Sequence, residues 1–310
     1  MPSPDNSRGG RASRGSLILA FAAIYLIWGS TYLGIRVAVD SMPPFLMAGM
    51  RFAIAGVLVF TLMILKGSPW PTARQWGDQA IVGVLLLLGG NAIVSWAEQR
   101  VPSGITCLIL GAGPVVAVGI DWVRPGGTRP GTILLIGIAV GLGGLALLLG
   151  PGAFPPGTQP PAKEVGAIMV SSVFWWLGSF YSKHVAKNAP KLLLASSMQM
   201  LTGCVAILLT GLILGEGRGL DLRSVTGPSW GAFAYLVVVG SIIAFPVYSF
   251  LLEHSTPALV STFSYVNPVV AVILGWAVLG EPLNLRIAIA GAIIVGAVAV
   301  ITVGRAKPAH

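Results

Sequence analysis

Apolar runs of about twenty residues recur ten times along the chain, and they constrain its fold more than any other feature. About 20 helical residues cross a bilayer core about 30 Å thick. Short segments with proline and glycine separate the runs. The sequence therefore predicts an all-α membrane protein with ten transmembrane helices, at residues 16–39, 44–65, 79–98, 102–122, 131–150, 164–185, 191–214, 228–250, 257–279 and 284–303.

Composition excludes most soluble classes. Charged residues make up only 9% of the chain, whereas ordinary soluble domains contain about a quarter. The hydrophobic fraction of 55% is too high for a disordered chain, and two cysteines cannot form a disulfide scaffold. The net charge of +9 is spread over short gaps without a dense basic stripe, so we expect no nucleic-acid partner.

Motifs of enzymes and ATP-driven pumps are absent or out of context. Gly227-Pro228-Ser229-Trp230-Gly231 has the spacing of a serine hydrolase elbow, but it opens an apolar run instead of joining a strand to a helix. The sequence has no Gly-Lys dipeptide and therefore no Walker A loop. Its histidines and cysteines lie far apart in sequence. We therefore expect no enzymatic activity, no cofactor and no metal.

Lysine and arginine predict the orientation in the membrane. With the N-terminus inside, twelve of these residues fall on the cytoplasmic side, six fall outside, and Arg51 lies within a run. Positive charge accumulates on the cytoplasmic side of membrane proteins. We therefore expect both termini to be cytoplasmic tails, at residues 1–15 and 304–310.

The second half of the chain repeats motifs of the first half in the same order. Pro114-Val115-Val116-Ala117-Val118 returns as Pro268-Val269-Val270-Ala271-Val272. Two further pairs match, Trp28 with Trp175 and Glu98 with Glu253. Five runs in each half place the second half upside down, and such inverted repeats are typical of secondary transporters with a midplane site. The predicted repeats are residues 16–150 and 164–303, joined by a Pro/Gly-rich linker at 151–163.

Several short motifs point to one family. They are Trp28-Gly29-Ser30-Thr31-Tyr32, Pro43-Pro44, Arg51-Phe52, Asn91, Val101-Pro102-Ser103-Gly104, Tyr265-Val266-Asn267-Pro268 and Gly280-Glu281-Pro282. Over about residues 17–302 the chain resembles the drug/metabolite transporter superfamily, and more narrowly its EamA-type bacterial inner-membrane members. One departure is that Gly280-Glu281, after the ninth run, has no acidic counterpart after the fourth run.

The resemblance implies two pseudo-symmetric five-helix repeats around a central cavity. Helices 1–4 and 6–9 would line this cavity, and helices 5 and 10 would support the bundle from its periphery. Members of the family mostly export small metabolites such as amino acids, and some handle sugars or drugs.

Polar and aromatic residues within the runs are the candidate cavity residues, because polar side chains in a membrane tend to face the bundle interior. The candidates are Tyr25, Trp28, Ser30, Thr31, Tyr32, Arg51, Asn91, Ser95, Trp96, Trp175, Trp176, Ser179, Gln199, Tyr248, Ser264, Tyr265 and Asn267. Contacts between helices and interfacial aromatic belts are the alternative explanation. Pro114 and Pro268 each remove an amide donor within a run and are candidate hinges.

Taken together, these features predict a secondary transporter that exports small metabolites by alternating access. Small multidrug pumps of the superfamily place a glutamate in their first helix, and this chain has none there. The prediction therefore favours zwitterionic or neutral compounds such as amino acids. Facilitated transport is preferred over proton coupling through Glu98 or Glu253. Roles in drug efflux, sensing or structure stay open as alternatives, as does the oligomeric state.

Overall fold

The computed structural model describes residues 13–123, 129–152, 154, 157, 159–185, 188–219, 221–255, 260 and 262–306. Within these residues all regular structure is helical, and each predicted apolar run contains one helix. The ten are α1 Arg14–Ala38, α2 Pro44–Leu65, α3 Ala73–Ala97, α4 Ser103–Val123, α5 Thr132–Leu149, α6 Ala162–Val185, α7 Leu192–Ile213, α8 227–254, α9 Phe263–Leu279 and α10 Leu285–Ala306.

The first eight of these helices are long and apolar enough to cross a membrane. Shorter apolar segments lie in α9 and α10, at Val266–Leu279 and Leu285–Ile301. The predicted all-helical membrane class is thereby confirmed. Most helix ends agree with the predicted runs within a few residues, but α3 begins earlier, because Thr72 and Gln75 cap its polar first turn reciprocally.

Contacts between the helices repeat when every helix number is shifted by five. α1 packs on α8 and α9, and α6 packs in the same way on α3 and α4. α2 contacts α8, and α7 contacts α3. The remaining large contacts join equivalent helices directly, as α2–α7, α4–α9 and α5–α10. Helices α1–α5 therefore contact helices α6–α10 in pairs that match when the helix numbers are shifted by five.

Irregular helix also recurs at equivalent places. α3 contains a π-helical segment at Val84–Ala92, and α8 contains one at Val238–Ile243. Such segments are rare and are frequently found at functional sites. α4 is interrupted at Ala112, shortly before Pro114, whereas α9 continues through Pro268. The hinge role of both prolines stays a prediction.

The end of the bundle where α1 finishes carries most of the polar contacts between the halves. We call it the cavity end and define it by the loops 39–43, 98–102, 214–219, 221–226 and 280–284. α6 begins here, since Glu164 in its first turn pairs with Arg100 at an N–O distance of 3.3 Å. α8 also begins here, where the Ser229 hydroxyl donates to the carbonyl of Val37 over 2.8 Å. α1 therefore ends where α6 begins.

Candidate functional site

Two adjoining cavities lie at the cavity end. The first has a volume of about 620 Å³ and the second about 640 Å³, and Asp40 lines both. The charged residues that line the first cavity are Arg36, Asp40, Arg100 and Glu281. Positive and negative groups thus face one space of metabolite size, an arrangement suited to a ligand that carries both charges.

Glu281 joins the end of α9 to the start of α4. Gly280 ends α9 with a φ of 65°, a backbone conformation that favours glycine. The Glu281 carboxylate then accepts hydrogen bonds from the backbone N–H groups of Ser103, at 2.7 Å, and Gly104, at 3.0 Å. The N–H groups of a first helical turn have no partner within the helix and attract negative charge. Glu281 therefore holds the end of α9 against the start of α4. We call a glutamate that joins two helices in this way a latch.

Glu216 forms a second latch of the same kind. It follows Gly215, which has a φ of 85° after the end of α7. Its carboxylate accepts from the N–H groups of Phe45, at 3.3 Å, and Leu46, at 2.9 Å, in the first turn of α2. Burial raises the pKa of the Glu216 carboxyl, although the bonds from Leu46 and Phe45 oppose that rise.

Gly280-Glu281 has no acidic counterpart after the fourth apolar run. The structure places the matching Gly-Glu pair after α7, in the same half of the chain. The dipeptide Gly215-Glu216 was the signal that could have revealed it. Both latch glutamates therefore belong to the second half and bind helices of the first.

Glu98 follows the last residue of α3. Its side chain is fully buried, and neither carboxylate oxygen has a hydrogen-bond partner within the described part of the chain. It interacts electrostatically with Glu281 and Arg36, and also with Tyr32 and Cys107. A buried acid without hydrogen bonds is costly when charged, so Glu98 is an unusual feature that packing does not explain.

Arg51 lies deeper in the bundle and binds the π-helical segment of α8. Its Nε donates to the Ser241 hydroxyl over 3.0 Å, and Nη2 lies 3.4 Å from the carbonyl of Gly240. The side chain is 4% exposed, and its guanidinium lies 5.0 Å from the ring centre of Phe52. In the described ranges no carboxylate pairs with it. Buried cations normally have an anionic partner, so this guanidinium has capacity for one.

Two further predicted residues adjoin Arg51. The Ser30 hydroxyl shares a 2.5 Å hydrogen bond with Tyr235, which interacts electrostatically with Arg51. Thr31 packs beside Gly240, where an added Cβ would lie 3.1 Å from its methyl group. α1, α2 and the irregular part of α8 therefore bring predicted residues together around one guanidinium.

Aromatic residues of α1, α8 and α9 form a separate cluster. The Trp28 ring lies 4.9 Å from both Tyr248 and Phe263, with the Phe263 ring edge-on. Tyr25 shares a hydrogen bond with Thr262 in the same region. This cluster fills the α1–α9 interface and lines neither of the two cavities at the cavity end.

The other predicted residues are spread between α3, α6, α7 and α9. Ser95 and Ser179 donate to carbonyls of their own helices, and Gln199 donates to Gln79 over 2.7 Å. The side-chain oxygens of Asn91 and Asn267 are buried without a partner in the described structure. The remaining positions are diverse: Trp175 is 40% exposed, Trp176 faces Gly113, Ser264 is half-buried, and the Tyr265 side chain lies outside the described residues.

Of the predicted cavity residues, Trp96 alone lines one of these two cavities, and Lys163 lies over its ring at 5.1 Å. Sequence reasoning missed Arg36, Asp40 and Arg100 as lining residues, because charges near helix ends serve equally as orientation signals. A role for the deeper residues in substrate binding stays a prediction.

Comparison with known proteins settles the family. The profile of the EamA-like transporter family matches residues 15–150 and again residues 162–303. The chain belongs to this family. It is 37% identical over 296 residues to the uncharacterized inner membrane transporter YedA of Escherichia coli (strain K12), covering 93% of this chain and 92% of that protein.

A more distant relative is also covered over most of its length. The uncharacterized transporter YoaV of Bacillus subtilis (strain 168) is 21% identical, with 90% of this chain and 94% of that protein covered. A crystal structure at 23% identity superimposes with a TM-score of 0.63 over 94% of this chain and 99% of the other, which shows a shared fold. The predicted family and the predicted multi-pass inner-membrane transporter are thereby confirmed.

Proposed function

We propose that this EamA-like transporter exports small zwitterionic metabolites, amino acids foremost, by alternating access between two inverted five-helix halves. The mixed charge of the first cavity carries the proposal. Arg36 offers a guanidinium for a carboxylate, and Asp40 and Glu281 offer carboxylates for an ammonium group. Arg100 lines the same space while it pairs with Glu164.

Three observations support the inverted arrangement. The family profile matches the chain twice, at residues 15–150 and 162–303. Helix contacts repeat on a shift of five, and α1 ends where α6 begins. With both termini in the cytoplasm, as the distribution of lysine and arginine favours, the cavity end faces outward. The observed cavities then correspond to the release side of an exporter.

Arg51 supplies the deeper part of the proposed pathway. A guanidinium has five N–H donors, and two of its nitrogens bind Ser241 and Gly240. The remaining donors suit a substrate carboxylate between the halves, where transporter sites of this architecture lie. The interruption of α4 before Pro114 gives one half a place to bend as the site changes sides.

Exchange assays on purified protein in liposomes test this proposal. The panel contains radiolabelled alanine, leucine and threonine as zwitterions, glucose as a neutral solute and tetraphenylphosphonium as a cationic drug. We expect exchange of at least one amino acid and none of the drug. Movement of the drug alone would favour drug efflux, and movement of no member of the panel would contradict metabolite export.

Arg36→Gln tests the charge of the first cavity. We expect the KM for the transported amino acid to rise about 10- to 100-fold, because a hydrogen bond to a charged group contributes about 1.5–3 kcal/mol. Arg218→Gln is the matched control, since Arg218 is exposed at the same end and lines neither cavity. Equal KM values for the two variants would exclude Arg36 from substrate recognition.

A further inference from the structure

We propose that Glu98 is a proton-binding site and that it takes up and releases one proton in each transport cycle. The site itself stands on the geometry around Glu98. Its coupling to export rests on the proposed function.

The burial of Glu98 is the first observation that supports the proposal. Glu98 has no exposed surface, and both carboxylate oxygens lack a hydrogen-bond partner in the described structure. An ionised carboxylate in such a place has lost its hydration without compensation, whereas a protonated one is a much smaller burden. The residue also follows the last turn of α3, where the helix dipole places partial negative charge. The arrangement observed here therefore favours the neutral acid.

The charged and titratable neighbours of Glu98 are the second observation. Glu281, which follows α9, opposes the ionisation of Glu98, and Arg36 of α1 favours it. Tyr32 of α1 and Cys107 of α4 are the titratable groups that also face Glu98. Glu281 is held by two backbone N–H groups of α4, so its charge stays close as long as that latch is closed.

The third observation is that residues around Glu98 line both cavities. Arg36 and Glu281 both line the first cavity. Gln99 lines the second cavity and Arg100 the first, so the residues that follow Glu98 face both spaces. Both charged residues that interact with Glu98 therefore line the first cavity, and its two following neighbours in the sequence line one cavity each. Movement of Arg36 towards Glu98, or of Glu281 away from it, changes which form is stable.

Glu98 loses one proton and regains one proton in each cycle. On one side of the membrane the O–H bond of Glu98 breaks, the proton passes to a cavity water, and the carboxylate that remains is stabilised by Arg36. On the other side the carboxylate takes a proton from water and returns to the neutral form. Exchange of one proton for one zwitterionic substrate moves one net charge across the membrane, so at zero membrane potential a difference of one pH unit supports about tenfold accumulation of the substrate.

Infrared spectroscopy of the full-length protein in lipid nanodiscs tests the site without any substrate. We expect the wild type at pH 7 to show a carbonyl stretching band of a protonated carboxylic acid. Glu98→Gln should remove this band, and Glu216→Gln should leave it unchanged. Glu216 is the matched control because it is a carboxylate of the same end that has two N–H partners.

Glu281→Gln gives an independent measurement if the Glu98 variant fails to fold. Removal of the neighbouring negative charge should lower the pH at which the Glu98 band disappears by about one unit or more. A wild-type spectrum without the band at pH 7, or a band that survives Glu98→Gln, would overturn the proposal. So would loss of the band on addition of sodium chloride, but not potassium chloride, at constant pH, because the site would then bind sodium.

Liposome assays with alanine, leucine and threonine separate the failure of this inference from failure of the proposed function. We expect Glu98→Gln to retain amino-acid exchange at equal pH and to lose accumulation driven by a pH gradient. Accumulation by the variant equal to that of the wild type would overturn the coupling. If no amino acid moves while the infrared band behaves as expected, the export proposal fails and the proton site stands.

Discussion

Glu281→Ala is expected to lower the melting temperature of the purified protein by about 5–10 °C. The substitution removes the acceptor for the N–H groups of Ser103 and Gly104. Hydrogen bonds to charged groups contribute about 1.5–3 kcal/mol each when buried, and partial exposure to the first cavity reduces this, so we expect a loss of about 2–4 kcal/mol. A thermal unfolding assay in detergent measures the shift.

Glu281→Gln is the graded control for this latch. The amide keeps one oxygen acceptor and loses the negative charge at the start of α4, so about half of the effect should remain. Glu216→Ala should be milder than Glu281→Ala, because one of its two hydrogen bonds is long, at 3.3 Å. A melting temperature for Glu281→Ala within 1 °C of the wild type would show that the hydrogen bonds of Glu281 do not stabilise the folded protein.

Gly83→Ala is expected to disturb the packing of α3 on α7 and to lower the melting temperature almost as much as Glu281→Ala. A Cβ at this position would lie 2.5 Å from the carbonyl oxygen of Gln199 and 3.1 Å from the backbone nitrogen of Gly203. Backbone atoms cannot turn aside as a flexible side chain can, so the two helices must separate. Overpacking of this kind costs about 1–3 kcal/mol, and we expect the melting temperature to fall by about 3–8 °C.

Gly77→Ala is the matched control, because Gly77 lies in the same helix with open space around its Cβ direction. Alanine is the better helix former, so this variant should melt at the same temperature as the wild type or slightly above it. If Gly83→Ala behaves like Gly77→Ala, the close approach of α3 and α7 at Gly83 does not exist in the membrane.

The positions of the helices could be predicted from the sequence because the bilayer imposes a length on each apolar run. For example, the apolar run at 44–65 predicts the bounds of α2 as the structure has them. The π-helical segments of α3 and α8 could not be predicted, since isolated polar residues such as Asn91 and Ser241 also occur in regular transmembrane helices and give no specific local signal. Their irregular backbone is visible only in the folded chain.

The candidate site was harder to predict for a different reason. Polar residues within the runs, such as Ser30 and Arg51, are recognisable as candidates because it costs free energy to place a polar side chain in a membrane. The contact of Glu216 with Leu46 joins residues 170 positions apart, and no periodicity encodes such a pairing. Charged residues such as Arg36 and Asp40 are common near helix ends, so their positions in the sequence do not indicate a site. Only the structure shows that both line one cavity.

The origin of both latch glutamates has a consequence for the energy profile of transport. At the end of α2, the position equivalent to Gly215-Glu216 is occupied by Gly67-Ser68, with the glycine again at positive φ. A serine hydroxyl lacks the negative charge with which Glu216 accepts two N–H groups of a facing helix. In the proposed alternating-access cycle, the carboxylate contacts at the cavity end therefore have no equivalent after α2, and the free-energy barriers to opening the two ends of the protein differ. This difference biases the time that the protein spends in each orientation of the proposed cycle.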